Sequence, residues 1–132
     1  MIKLALQQQS TYMKNYFPTH VARMLFGLIM LVFGLFHFMM GDKMAGMVPA
    51  FLPGGVVWVY ITGLGLAAAG LSFILEKMMK LAGYLLAVML LLFVVLIHAQ
   101  NIGTDNSAIA SILKDLGLAM GSILIANASE DE

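Results

Sequence analysis

Long runs with almost no charge constrain this chain more than any other feature. Residues 24–40, 56–75, 81–98 and 108–126 form four such runs. A helix needs about 20 mostly apolar residues to cross hydrocarbon, with a range of about 17–25. The first run is interrupted only by His37. The second has Thr62 and Ser72 as its polar side chains, and the third carries no charge and ends at His98. The whole chain of 132 residues is 61% hydrophobic and 11% charged. Soluble domains hold about 45–50% apolar and about 25% charged residues. A small domain has too much surface to cover with so little charge. The expected fold is all-α, an integral membrane four-helix bundle in contact with the lipid bilayer.

The fourth run is the costly one, because it contains Lys114 and Asp115. Each charge at a helix centre costs about 2.5–3.5 kcal/mol, so the two together cost roughly 5–7. Its Ile and Leu residues return about 0.3–0.6 each, or roughly 2.4–4.8 in all. Insertion therefore requires the charges to lie off-centre, to be paired, or to face other helices. Helical spacing puts Ser107, Ala110, Ser111, Lys114, Asp115, Gly117, Gly121 and Ser122 on one side. Ile109, Ile112, Leu113, Leu116, Met120 and Ile123 take the other, suited to lipid. Gly117 and Gly121 read as a small-residue pair for packing within the chain.

Absence of Cys excludes disulfides, thiolate zinc, cysteine-held iron–sulfur clusters and thiol redox chemistry. A formal net charge of zero, with no basic run, argues against nucleic acid. Lys3, Lys14 and Arg23 precede the first run, Lys77 and Lys80 follow the second, and the opposite loops hold only Lys43. This asymmetry puts both termini in the cytoplasm. Arg23 then reads as a cytoplasmic anchor. The organisation is a cytoplasmic segment over 1–20, a transmembrane domain over 21–128, and an acidic tail over 129–132 with Glu130, Asp131 and Glu132. No small-residue cleavage pattern closes the first run, so a cleaved signal peptide is not expected. The 41–55 linker contains Pro49 and Pro53 yet is rich in Met44, Met47, Val48, Phe51 and Leu52. It is expected at the interface or folded back on the helices, with Trp58 and Tyr60 in an aromatic belt.

Alternating directions gather the polar side chains into one layer. His37 and His98 fall near the outer ends of spans one and three, and Thr62 in the outer part of span two. Lys114 and Asp115 lie roughly 9–10 Å into span four at about 1.5 Å per residue. His37 shares a face with Arg23 and Met30, beside Gly27 and Gly34, and His98 aligns with Leu91 and Tyr84. Lys114 and Asp115 point about 100° apart on a helix, so they need not pair with each other. The structural reading of this layer is that it closes the helices by hydrogen bonds. The functional reading is ligand or proton chemistry, favoured by the insertion cost. Two imidazoles can ligate haem, but two histidines are a weak signal for it. No metal cage, nucleophile or nucleotide loop is present. The methionines are scattered rather than clustered for a soft metal.

These residues resemble the DoxX-like family of small four-helix membrane proteins, from Arg23 to about Ala126. Gly34-Leu35-Phe36-His37-Phe38 is similar to its G-x-x-H-F, and Val48-Pro49-Ala50-Phe51-Leu52-Pro53 to its V-P-x-x-L-P loop. Tyr60-Ile61-Thr62-Gly63 resembles Y-x-x-G, and Ile97-His98-Ala99-Gln100-Asn101-Ile102 the end of the third span. Leu113-Lys114-Asp115-Leu116-Gly117-Leu118 resembles L-K-D-L-x-L. Leu66 stands where many relatives carry Glu, which puts any chemistry of that acid in doubt here. The resemblance implies a subunit of the cytoplasmic membrane that supports quinone-linked electron transfer or a redox-stress response with a redox-protein partner. Quinone is the cofactor it implies, facing His37, His98, Lys114 and Asp115. A non-catalytic scaffold is the alternative and a small transporter the third reading. No signature in the sequence sets an oligomeric state.

Overall fold

The computed structural model describes residues 1–13 and 17–130; Lys14, Asp131 and Glu132, counted above for orientation and tail, lie outside them. Helices account for all regular structure among the described residues. In order these are α1 (Ile2–Met13), α2 (Thr19–Met39), α3 (Gly41–Met44), α4 (Val56–Leu75), α5 (Met79–Phe93) and α6 (Ala108–Ala128). Four helical stretches are long and apolar enough to cross a membrane: Thr19–Met39, Val56–Leu75, Met79–Asn101 and Ala108–Ala128.

Helix ends follow local chemistry. Pro18, extended at φ −62° and ψ 128°, opens α2, and its carbonyl accepts from Val21 and Ala22. Its fixed φ and missing N–H suit a helix start. Gly54 and Gly55, both at positive φ, turn the chain into α4. Glu76 ends α4 in the left-handed conformation, and its N–H returns to the Ser72 carbonyl. The Ser72 hydroxyl in turn donates to the Lys77 carbonyl. The third span departs from uniform winding. It is α-helical to Phe93, π-helical over Val94–His98, and 3₁₀ over Ala99–Asn101.

Two close-packed antiparallel pairs organise the spans. In the α2–α4 pair Gly27 faces Gly70 and Gly34 faces Gly63. A methyl group at Gly27 would stand 2.7 Å from the Gly70 carbonyl oxygen, and one at Gly34 2.7 Å from that of Gly63. Only residues without a β-carbon allow backbones this near. At one end of this seam the Arg23 Nε donates to the Phe73 carbonyl at 2.9 Å, and its Nη2 pairs with Glu76. Arg23 thus satisfies a carbonyl in the last turn of α4, which that helix cannot satisfy itself. In the α5–α6 pair a methyl at Gly83 would lie 2.7 Å from the Ala126 β-carbon, and the buried Ser122 hydroxyl donates to the Gly83 carbonyl. Met30, Leu66, Phe73, Leu86, Leu90 and Ala119 fill the space between the pairs.

The buried face of α6 differs from the expected one. Ala108, Asp115, Ala119, Ser122 and Ala126 are buried, while Ala110 and Gly117 are exposed. Gly121 abuts the Phe26 ring of α2, but nothing lies near Gly117. The Gly117–Gly121 pair is therefore not a packing seam. The expected face lies about a quarter turn away from this one, because it omits Ala108, Ala119 and Ala126, whose small side chains seat the neighbouring helices.

Gly34→Val should lower resistance to unfolding in mild detergent by about 1–3 kcal/mol, the usual cost of forcing bulk into a packed interior. Gly117→Ala should leave it unchanged or slightly raised. SDS titration followed by circular dichroism measures both.

Candidate functional site: a polar-ended cavity between helix pairs

A cavity of about 630 Å³ lies where the two pairs diverge, lined by all four spans and the 41–55 linker. His37, Thr62, His98, Lys114 and Asp115 all line it. Arg23 does not; it sits on the far end of α4. Most of the remaining wall is apolar, from Met30, Phe33, Leu66, Met89, Phe93 and Leu118. From the linker Met44, Met47, Val48, Pro49 and Leu52 close over it. Trp58 Nε1 donates to the Pro53 carbonyl at 2.8 Å, fixing the end of that linker to α4. Phe38 stacks on Tyr60 with centroids 6.0 Å apart, joining α2 to α4 at the same level.

Asp115 is the electrostatic centre. Its carboxylate takes His98 Nε2 at 3.0 Å on Oδ2 and Lys114 Nζ at 3.3 Å on Oδ1. Lys114 and Asp115 therefore do pair. The long lysine stem bends back to its neighbour and covers the angular gap between them. Nζ also stands 5.2 Å from the centroid of the Phe33 ring, a cation–π contact that ties α6 to α2. The Asp115 side chain is 3% exposed and that of Lys114 is 50% exposed. The carboxylate is enclosed while the lysine side chain is half-exposed.

The two imidazoles make different commitments. His98 sits on the π turn, whose wider winding changes the angular phase after Phe93. The expected alignment of His98 with Leu91 and Tyr84 assumed unbroken α-helix and fails for this reason. Tyr84 instead donates to Asn127 at the opposite end of the α5–α6 pair. Asn101 Nδ2 caps the turn by donating to the Ile97 carbonyl at 2.8 Å. His37 Nδ1 lies 2.8 Å from the Phe33 carbonyl one turn back in α2. A carbonyl only accepts, so Nδ1 carries a hydrogen. The Thr62 hydroxyl donates to Val59 at 2.8 Å. Among the described residues no three His, Cys, Asp or Glu side chains gather as a metal site.

Outside the spans, Asp105 shapes the turn into α6. Its Oδ1 accepts from the Ser107 N–H at 2.8 Å and the Ser107 hydroxyl at 2.7 Å, an Asx-turn. The Ser107 hydroxyl, then its N–H, hold the Asp105 carboxyl below its ordinary value of 3.8; slight desolvation opposes this and the His98 charge assists.

A family model described as a domain of unknown function, DUF8561, matches residues 26–130. The chain belongs to the DUF8561 family. No curated protein and no solved structure matches it. The DUF8561 region contains the whole cavity wall, from Met30 to Leu118. Ser111 lies on the polar face expected of α6 and the linker folds back on the helices, while Phe33 is a wall residue that sequence reasoning missed. Phe33 lies one turn from His37 on the same face, so spacing alone would have found it.

Asp115→Asn leaves Lys114 and His98 without their anion. Breaking a fully buried pair costs about 3–5 kcal/mol, and half-exposure of Lys114 reduces this to about 1–3. The double variant with Lys114→Met should recover part of the loss, as measured by SDS unfolding. Asp105→Asn should be less stable than the parent at neutral pH. A carboxyl with a lowered folded-state pKa stabilises above its unfolded value, and that contribution disappears as pH falls through the folded value. The stability gap between variant and parent should therefore close below about pH 4, near the unfolded carboxyl pKa.

Proposed function

We propose that this DUF8561 protein is a DoxX-like four-helix bundle of the cytoplasmic membrane that binds a quinone head group and supports quinone-linked electron transfer with a redox-protein partner. The observation that carries this reading is the cavity: about 630 Å³, apolar along most of its wall, with polar side chains from all four spans in its lining. Small-molecule sites are typically of this size, with a few placed polar groups in an apolar wall. A quinone is an apolar molecule with a polar ring, and the donor set fits it. Lys114 Nζ retains hydrogens beyond the one shared with Asp115, and Ser111 adds a hydroxyl. These residues would hold the ring oxygens, while Leu66, Met89 and Leu118 receive the apolar substituents. When bound, the quinone supplies electron and proton transfer. The chain's own part is to orient the ring, exclude water and hold hydrogens on Lys114, His37 and His98.

The charge asymmetry across the loops supports cytoplasmic termini, since lysine and arginine concentrate on that side. The cavity then belongs to the outer half of the membrane. Leu66 lines it where many DoxX-like relatives carry Glu, so the Lys114–Asp115–His98 group takes the place of that acid in this reading. A scaffold role is the second reading, favoured because Asp115 already finds partners for both of its oxygens within the chain.

Lipid extracted from the protein purified in mild detergent should contain quinone enriched about tenfold or more over bulk membrane. A binding advantage near 1.4 kcal/mol corresponds to that ratio. A folded Lys114→Met, Asp115→Asn double variant should return to the bulk ratio. Quinone at the bulk ratio in the parent protein contradicts the proposal and favours the scaffold.

A further inference from the structure

The cavity's hydrogen-bonding groups differ in kind from one side to the other. On α2, His37 Nδ1 is spent on the Phe33 carbonyl at 2.8 Å. The neutral ring then offers Nε2 as a lone-pair acceptor. Among the described residues Nε2 has no protein partner. On α6, Lys114 offers the reverse, an ammonium that can only donate. Both stand beside Phe33: His37 is bonded to its carbonyl, and Lys114 is 5.2 Å from its ring centroid. Thr62 has committed its hydrogen to Val59, His98 Nε2 faces Asp115, and the Ser111 hydroxyl can donate or accept, so none of these changes this polarity.

A quinone carries two acceptor oxygens and no donor. Its reduced form, the quinol, carries a hydroxyl at each position. We infer that the cavity selects the quinol: one phenolic O–H donates to His37 Nε2, and the other ring oxygen accepts from Lys114 Nζ. A quinone in the same place would set a carbonyl lone pair against the lone pair of Nε2, leaving a half-buried acceptor without its hydrogen bond. Sites built for a hydroxyl reject analogues that lack it, because the enclosed polar group goes unanswered. The inference rests on the quinone reading above and adds which oxidation state is bound and which residue selects it. His37 is here a specificity residue.

The test is titration calorimetry of the full chain in nanodiscs, with empty nanodiscs subtracted. The probes are a decyl-substituted benzoquinol kept reduced under argon, the matching quinone, and the di-O-methyl ether of the quinol. The quinol should bind about tenfold tighter than either other compound, as one further satisfied hydrogen bond allows. His37→Phe should bring the three within about twofold, whereas Lys114→Met should weaken quinol and quinone alike. If His37→Phe does not fold, the ether on the parent protein makes the same comparison from the ligand side. Quinone or ether binding as tightly as the quinol overturns the inference and leaves the quinone reading standing. Binding of none of the three overturns both.

Discussion

A carboxylate inside a membrane-spanning helix dominates the physics of this chain. Burying an ion alone is prohibitive, so Asp115 is tolerable only with donors around it, and two are supplied: His98 Nε2 from the end of the third span and the Lys114 ammonium from its own helix. Each partner carries a structural consequence. To reach Asp115, His98 sits on a π turn, and Lys114 bends back over the Phe33 ring. One enclosed negative charge thereby links α6 to the π turn of the third span through His98 and to α2 through the lysine. It also sets where the cavity has its polar end.

Glycine accounts for the space itself. The Gly27–Gly70 and Gly34–Gly63 contacts bring α2 and α4 together, and Gly83 does the same for α5 against α6. Tight packing within pairs leaves room between them. Toward one end that room is filled by Phe73, Leu86 and Ala119, and toward the other it is the cavity. The division concentrates rigidity in the seams. It leaves to side chains and to the 41–55 linker the task of shaping what can enter.

Much of this arrangement is written in the sequence, because a membrane leaves a chain few options. Hydrocarbon thickness sets span length, which is why the second run coincides with α4 at Val56–Leu75. Alternating direction brings His37, Thr62, His98, Lys114 and Asp115 to one level, and all five line one cavity. The first span begins earlier than apolarity indicates, since α2 starts after Pro18 and carries His20 and Arg23 in its opening turns. Other features leave no linear trace. A π turn depends on tertiary demand rather than on the residues Val94–His98, so a heptad alignment through it misleads. Pairing of Lys114 with Asp115 depends on side-chain length, which a helical wheel ignores. The role of Arg23 at the end of α4 depends on where a distant helix stops.

The hydrogen-bonding character of the cavity turns on which imidazole nitrogen bears the hydrogen. Nitrogen-15 chemical shifts of the histidine rings report this directly, with His20 assigned by replacement. The account predicts a hydrogen on Nδ1 and a bare Nε2 in neutral His37, together with a hydrogen on His98 Nε2 held against Asp115. A His37 ring with its hydrogen on Nε2, or a His98 ring with Nε2 bare, would contradict it.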